Sequence, residues 1–244
     1  MRIFTSAAIV ATAAAVTLLS GCSTDPTAAT PSTTSTPASS AASKGSAATA
    51  GLKCTTAPAA RDSTPTLKLP DKSTVAGKTF VATIQTTCGT VTAKLFADKA
   101  PQTVASFIAL AKSYYTGTPC PRLVTSGIFV LQCGDPSGTG SGSPGYSFGM
   151  ENAPTDGKYS SGTLAMARSH DPNSNGGQFF IVYQDTEIPD PTGYSIFGKV
   201  SSSSGLGILR AVAGKGDDGT NQAGGGAPVQ PIGIQKITVT EKKA

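Results

Sequence analysis

The sequence predicts a mostly β fold, a barrel or sandwich capped by helices. From about residue 78 onward, short segments with strand-like alternation follow one another, separated by turns rich in glycine and proline. Only two helical patterns interrupt these segments, and they lie far apart in the chain. Many short strands with isolated helices are typical of barrels and sandwiches with helical caps.

Local patterns place the first elements. Residues 79–84 and 90–96 alternate like strands, and the Cys88-Gly89 dipeptide between them is typical of a hairpin turn. Pro101 then opens a helix near its first turn, where the missing N–H costs no hydrogen bond. The apolar face of that helix is formed by residues at helical spacing, namely Val104, Phe107, Ile108 and Ala111.

The C-terminal part of the chain carries the second helix and a last strand. Residues 206–212 show the helical pattern, a glycine-rich loop follows, and residues 232–239 are strand-like. No internal repeat is visible, so we expect one domain over residues 78–244.

The N-terminus has the pattern of a secretory signal peptide. Arg2 provides a positive charge, and residues 3–19 form an apolar run without any charge. This run is rich in Ala and Thr and falls short of the roughly 20 apolar residues of a spanning helix. A signal peptide over residues 1–21 is therefore favoured over a retained membrane helix.

The segment at residues 19–22, Leu-Ser-Gly-Cys, resembles the lipobox of bacterial lipoproteins. That resemblance implies a covalent diacylglycerol lipid on Cys22, and we expect no other cofactor. Acyl chains on the mature N-terminus would anchor the protein to the extracytoplasmic face of the cell membrane.

Two segments separate this anchor from the domain. Residues 22–51 consist almost wholly of Ser, Thr, Ala and Pro, a composition that cannot bury enough apolar surface to fold. We expect a disordered tether there. Residues 52–77 contain a cysteine and several prolines, and we expect an irregular extension laid against the domain.

Composition and motifs exclude several classes of protein. The formal net charge is +5, but no cluster of Lys and Arg carries it, so we expect no nucleic-acid partner. His170 is the only histidine, and the sequence has neither a GxSxG motif nor a P-loop. The GxGxxG match at residues 140–145 contains Pro144 and lacks the strand-to-helix context of a dinucleotide site, so we interpret it as a surface loop.

The remaining cysteines suggest disulfides. Apart from Cys22 they are Cys54, Cys88, Cys120 and Cys133, an even number in an exported chain. We expect a Cys120–Cys133 pair, because both residues flank one hairpin, and a Cys54–Cys88 pair that ties the extension to the first hairpin. Free thiols are the alternative. No metal site is expected with one histidine and no CxxC pair.

The most informative part of the sequence is a series of short blocks after residue 78. They are LFADKAP (95–101), YTGT (115–118), RL (122–123), FVLQCGD (129–135), GTLAMAR (162–168), NSNGGQFFI (173–181) and FGKV (197–200). Their order and spacing resemble cyclophilin-type peptidyl-prolyl isomerases, from about residue 78 to the C-terminus.

The resemblance implies a fold and a set of site residues. The fold is a closed eight-stranded antiparallel β-barrel capped by two α-helices, with the active groove on its outer face. Arg122 matches the catalytic arginine, and Gln132 matches the glutamine that holds it and contacts the substrate backbone. Phe129 and Phe180 match walls of the proline pocket, whereas strand alternation places Phe179 in the core.

The resemblance also implies substrate-binding residues around this pocket: Val130, Ala167, Arg168, Gln178, Ile188, Pro189 and Tyr194. Some of them depart from the family pattern. Pro121 replaces the usual histidine before the arginine, Ile188 stands where an aromatic residue is common on the rim, and Arg168 replaces an asparagine. About two residues are inserted between Arg122 and Gln132. We therefore expect cyclosporin to bind, but more weakly than it binds family members with an indole at the rim.

These residue types suit the chemistry. Rotation about an amide bond faces a barrier of about 18–20 kcal/mol, and uncatalysed X-Pro exchange takes about tens to hundreds of seconds. Twisting the bond localises a lone pair on the prolyl nitrogen, and a guanidinium can bond to it in the twisted state alone. An apolar pocket would fix the proline ring meanwhile.

Two functions follow from this reading. The first is an extracytoplasmic prolyl isomerase, monomeric, that acts on polypeptides containing X-Pro bonds. The alternative is a module that binds proline-containing peptides with little turnover, favoured by the altered residues Pro121, Ile188 and Arg168.

The site residues also have a purely structural interpretation. Taken alone, Arg122 would be a surface residue and the phenylalanines would be core residues. Their combination with Gln132 favours a functional site instead.

Overall fold

One antiparallel sheet of nine strands dominates residues 51–243, the part of the chain described by the computed structural model. A separate pair, β6 and β9, forms a small second sheet. In chain order the strands are β1 Thr79–Thr86, β2 Gly89–Leu95, β3 Thr118–Pro119, β4 Arg122–Val124, β5 Val130–Cys133, β6 Lys158–Tyr159, β7 Thr163–Met166, β8 Phe179–Val182, β9 Thr186–Glu187, β10 Ile196–Val200 and β11 Gly233–Lys242. The predicted signal peptide, Cys22 and the tether as far as residue 50 lie outside the described residues.

The large sheet has the strand order β3-β11-β1-β2-β10-β7-β8-β5-β4. Its two edge strands, β3 and β4, are separated in sequence only by Cys120 and Pro121, so the sheet curls until both edges reach the same segment. Pro121 has no N–H to donate to a ladder, which explains why one bent segment is divided into two short strands. Cys120 N still donates to Ile232 O at 3.0 Å.

The predicted mostly β fold with two helices is confirmed, whereas the closed eight-stranded barrel is not. The curled sheet contains nine strands instead of eight, and within residues 51–243 no ladder pairs β3 with β4. The first hairpin, the two helices and the last strand all lie where the sequence predicted them, with ends shifted by a few residues.

The two helices pack against the sheet. Helix α1 spans Pro101–Ala111 and begins with Pro101, as predicted; helix α2 spans Ser203–Ala213. Ser202 caps α2, its hydroxyl accepting a bond from Gly205 N at 3.3 Å. Phe107 of α1 lies in the middle of the core, with its ring 5.5 Å from Phe179 and 5.1 Å from Phe197.

Alternation along the central strands separates two apolar clusters. In β8, Phe179 and Ile181 join the main core beneath the helices, whereas Phe180 and Val182 join a smaller cluster on the opposite face. Phe179 therefore lies in the core, as predicted. The smaller cluster forms the floor of the site described below.

Both predicted disulfides are present. Cys120 is bonded to Cys133, and Cys54 to Cys88. The first cross-link joins the bent segment around Pro121 to β5 and therefore lies beside the residues of the site. Removing a native disulfide from a small secreted domain typically costs about 2–5 kcal/mol.

The extension before β1 is irregular apart from a short 3-10 helix at Lys72–Val75. Three backbone-to-backbone hydrogen bonds join it to the domain: Thr55 N to Thr87 O, Arg61 N to Pro136 O and Leu67 N to Pro144 O, each at 2.8 Å. Among residues 51–243, no helix is both long and apolar enough to cross a membrane.

Candidate active site

Arg122 and Gln132 form the centre of the site. They are direct cross-strand partners in the β4–β5 hairpin, so their side chains emerge on the same face of the sheet. Arg122 Nη1 donates to Gln132 Oε1 at 3.1 Å. The sequence predicted this pair, and the structure brings it together.

Two further hydrogen bonds fix the Arg122 guanidinium. Nε donates to Gly224 O at 3.0 Å, and Nη2 donates to Ala223 O at 2.8 Å. Burial lowers the pKa of Arg122 from its usual 12.5, and the neighbouring Tyr194 partly opposes that shift. Arginine nevertheless stays charged in proteins, so the site presents a cation of fixed orientation.

A chain of side-chain amides extends from Gln132 along the groove. Gln132 Nε2 donates to Gln178 Oε1 at 2.8 Å, and Gln178 Nε2 donates to Gly140 O at 2.8 Å and to Gly142 O at 3.2 Å. Gln178 thus lies beside the site, as predicted. The amide chain couples the orientation of Arg122 to the surface loop at residues 140–142.

A small pocket of about 110 Å³, lined by both apolar and polar side chains, lies next to the guanidinium. Its floor is Phe180, which is only 5% exposed, and Ile188 forms part of its wall. Together the lining residues are Arg122, Ile128, Val130, Gln132, Ala167, Arg168, Phe180, Ile188 and Tyr194. The pocket can hold a compact apolar ring within reach of a positively charged hydrogen-bond donor.

The prediction that Phe129 is a pocket wall is not met by the structure. Its side chain packs on the core side, with its ring 6.0 Å from that of Tyr183. Alternation in β5 places Val130 on the face of Gln132, and Ile128, in the bend before β5, lines the pocket with them, whereas Phe129 does not. Ile128 takes the pocket position that residue-by-residue comparison had assigned to Phe129.

Arg168 lines the pocket but is already engaged by the protein. Its side chain is 2% exposed, and Nη2 lies 2.6 Å from Asp190 Oδ1. Nε donates to Gly193 O at 2.9 Å and Nη1 to Ser169 O at 2.7 Å. The sequence predicted a substrate contact here, whereas the geometry is that of a buried ion pair beneath the rim.

Tyr194 forms the rim above this ion pair. The Arg168 guanidinium carbon lies 4.8 Å from the centre of its ring, and the Phe180 ring lies 5.5 Å away. Tyr194 N donates to Tyr159 Oη at 2.7 Å. Burial raises the pKa of Tyr194, and it raises the pKa of Tyr159 to about 12. Both hydroxyls therefore stay neutral around pH 7.

The remaining predicted residues lie at the margin. Pro189 is exposed and does not line the pocket. Ala167 lies between this pocket and a larger cavity of about 420 Å³, whose lining includes Gln178 and loop residues between 140 and 147. The extension, residues 52–77, lines neither cavity.

Comparisons with known proteins agree with this geometry. The model of the family described as cyclophilin type peptidyl-prolyl cis-trans isomerase/CLD matches residues 81–239. A protein named "Probable peptidyl-prolyl cis-trans isomerase B" from Mycobacterium tuberculosis is 36% identical over 207 residues, which cover 78% of this chain and 63% of that protein. The protein of the same name from Mycobacterium leprae is 38% identical over 189 residues, which cover 69% of this chain and 63% of that protein. The chain thus spans less than two thirds of the length of these mycobacterial relatives.

A solved structure gives the same result. The crystal structure of a cyclophilin-type peptidyl-prolyl cis-trans isomerase from Cryptosporidium parvum superposes with a TM-score of 0.56 at 31% sequence identity. The match covers 68% of this chain and 99% of that one. Since the family model alone matches more than half of the sequence, the chain belongs to the cyclophilin-type peptidyl-prolyl cis-trans isomerase family.

Proposed function

We propose that this protein catalyses cis–trans isomerisation of X-Pro peptide bonds in polypeptides outside the cytoplasmic membrane. The observation that carries the proposal is the fixed Arg122 guanidinium beside a small pocket whose floor is the apolar ring of Phe180. A second structure of the Cryptosporidium parvum protein was determined in the presence of the dipeptide Ala-Pro, and its TM-score to this chain is 0.54. That supports proline-containing peptides as the substrate class.

The mechanism follows from the donors of Arg122. A guanidinium has five N–H groups, and three of them are engaged by Gln132, Ala223 and Gly224, which leaves two for a ligand. The proline ring of the substrate would fill the pocket, and the carbonyl group of the preceding residue would rotate relative to that ring. In the twisted state the prolyl nitrogen acquires a lone pair that a free N–H of Arg122 can approach, so binding is stronger in the transition state than in either planar isomer.

A matched pair of phenylalanine variants tests the pocket. We expect Phe180→Leu to lower kcat/KM for an Ala-Pro-Phe peptide about tenfold, because about 1.4 kcal/mol of lost contact is a factor of ten. Phe129→Leu removes the same atoms outside the pocket and is expected to change the rate by less than about twofold. Exchange spectroscopy by NMR measures both rates.

The Phe180→Leu and Phe129→Leu variants, together with the wild type, also test the competing hypotheses. Equal losses in the two variants would contradict the placement of proline against Phe180. If a peptide changes the NMR chemical shifts of wild-type residues around Phe180 but its cis–trans exchange is not accelerated, the peptide-binding module would be favoured over the enzyme.

Cyclosporin binding is expected to depend on the rim at Ile188. Ile188→Trp supplies an indole N–H, and a hydrogen bond to it would strengthen binding about fivefold, since such bonds contribute about 1 kcal/mol. The chain has no tryptophan, so fluorescence of the introduced indole reports binding directly. Ile188→Phe is the control that adds an aromatic ring without a donor. An equal gain in both variants would contradict the hydrogen bond.

Anchoring through a lipid on Cys22 is also part of the proposal. In a bacterial host that processes lipoproteins, we expect the wild type to incorporate labelled palmitate and to sediment with membranes. Cys22→Ser should remove the label. If the wild type takes up no label and stays in the membrane with an uncleaved N-terminus, a retained helix would be the anchor instead of the lipid.

A further inference from the structure

The glycine-rich segment between α2 and β11 contacts Arg122 although it lies outside the pocket. None of its residues at 217–227 lines the pocket, yet the carbonyls of Ala223 and Gly224 accept two of the three hydrogen bonds that hold the guanidinium. We refer to residues 217–227 as the glycine loop. Its contact with Arg122 spans about a hundred residues of sequence.

The glycine loop reaches Arg122 by pairing with the free edge of β4. Leu123 N donates to Gly226 O at 2.8 Å, and Gly226 N donates to Leu123 O at 2.9 Å. This is a reciprocal antiparallel bridge, one residue beyond Arg122. The bridge sets the register between loop and strand and so places the two carbonyls beside the guanidinium.

This close approach requires glycine at position 225. Gly225 has a φ of +70°, and a Cβ there would collide with the carbonyl oxygen of Leu123 and press on Val124 at 2.9 Å. The obstacle is mostly backbone, so it cannot move aside cheaply. By contrast Gly216, just before the loop, has a φ of +87° and open space around its Cβ position.

Asp218 holds the glycine loop in shape. Its Oδ1 accepts bonds from Thr220 N at 3.1 Å, Thr220 Oγ1 at 2.8 Å and Ala227 N at 2.9 Å. Its own N–H donates to Ala227 O at 3.0 Å, which closes the base of the loop. The neighbouring Asp217 accepts a bond from Thr125 Oγ1 and fixes that base to the turn after β4. The loop is therefore organised by polar bonds, since most of its side chains are exposed.

We propose that the glycine loop is a clamp that orients Arg122 for catalysis and that Asp218 is a positioning residue acting through it. This inference rests on the proposed function, in which Arg122 stabilises the twisted bond. Gln132 holds one edge of the guanidinium and the loop holds the other, so losing the loop would leave Arg122 free to turn about a single hydrogen bond.

The first experiment compares two glycine variants of the full chain. Both glycines have positive φ, so alanine carries a similar backbone penalty at each, and only Gly225→Ala collides with β4. We expect Gly225→Ala to lower kcat about 10²-fold with little change in KM, because misplacing a catalytic group by about 1 Å costs that much. Gly216→Ala should keep the wild-type kcat. Equal kcat values for the two variants would overturn the proposal.

The second experiment remains informative if Gly225→Ala does not fold. Asp218→Ala removes the acceptor and should lower kcat about tenfold, whereas Asp218→Asn keeps an oxygen at Oδ1 and should restore most of the rate. The Nε–H NMR signal of Arg122, assigned by its loss in Arg122→Ala, should shift in Asp218→Ala and return in Asp218→Asn. A wild-type rate in Asp218→Ala would overturn the proposal, as would an unmoved signal.

A double variant distinguishes a failure of the proposed clamp from a failure of the proposed function. In the Arg122→Ala background, Asp218→Ala should have no further effect on kcat, because its action passes through Arg122. An additional loss there would show that the loop acts elsewhere and would overturn the clamp. If Arg122→Ala itself has the wild-type rate, the proposed function fails, whatever the loop variants do.

Discussion

Replacing Arg122 by alanine is expected to lower kcat/KM for an Ala-Pro-Phe peptide by about 10²–10³-fold, the usual loss when an enzyme is deprived of one preorganised electrostatic donor. The guanidinium is held by Gln132, Ala223 and Gly224, so little reorganisation is needed when charge develops on the prolyl nitrogen. Alanine removes the guanidinium but leaves the apolar part of the pocket lining in place. Peptide binding should therefore weaken far less than kcat.

Arg122→Lys is the matched control. Lysine keeps the positive charge but cannot reproduce three directional bonds from one planar group, so we expect an intermediate rate. Chemical denaturation should show little change in unfolding free energy for either variant, because Arg122 is only partly buried at the edge of the sheet. A wild-type exchange rate in Arg122→Ala would remove the mechanism proposed for this site.

The same site predicts a flat pH profile. Burial lowers the pKa of Arg122 without neutralising it, and burial raises the pKa of Tyr159 to about 12 and that of Tyr194 above its usual value. None of these groups changes charge between about pH 5.5 and 8.5, and the mechanism transfers no proton. A bell-shaped profile in that range would indicate a different chemistry.

The limits of sequence reasoning are visible in the β4–β5 hairpin. Arg122 and Gln132 were predictable because the flanking blocks match the family. Ile128 was missed because residue-by-residue comparison gave its place to Phe129. Ile128 and Phe129 lie in the turn before β5, so strand alternation does not settle their orientation, and only the structure shows that Ile128 lines the pocket.

Contacts between distant residues could not be predicted from one sequence. Arg168 was assigned to the groove on its position after Ala167, and nothing local indicates that Asp190, 22 residues later, would bind it. The glycine loop was likewise predicted only as a glycine-rich loop before the last strand. Only the folded chain shows that its backbone carbonyls accept bonds from Arg122.

Removing the charge of Arg168 is expected to destabilise the fold by about 3 kcal/mol. Breaking a buried ion pair by deleting one partner typically costs about 3–5 kcal/mol, and the lower end applies because the Asp190 side chain is 20% exposed and can be partly rehydrated. Arg168→Met preserves much of the volume and leaves the Asp190 carboxylate without its cation. Chemical denaturation at pH 7 measures the loss.

The pH dependence of stability tests the same pair. Burial alone would raise the pKa of Asp190, but bonds from Thr192 N and Gly193 N, together with Arg168, outweigh it and lower the pKa. A carboxylate with a lowered pKa in the folded state stabilises the fold above about pH 4 and loses that contribution as pH falls through the folded value. Asp190→Asn should therefore show a shallower acid loss than the wild type, and so should Arg168→Met, because without its cation Asp190 titrates in the folded state closer to its unfolded value.

Kinetic measurements distinguish a structural role of Arg168 beneath the rim from a direct contact with the substrate. Because its guanidinium supports the ring of Tyr194 at the rim, Arg168→Met should raise KM several-fold and leave kcat close to wild type, with Arg122 untouched. The double variant Arg168→Met with Asp190→Asn should recover part of the lost stability, since the unpaired charge is gone. If Arg168→Met is instead as stable as the wild type and loses only kcat, then Arg168 contacts the substrate directly, as the sequence first indicated.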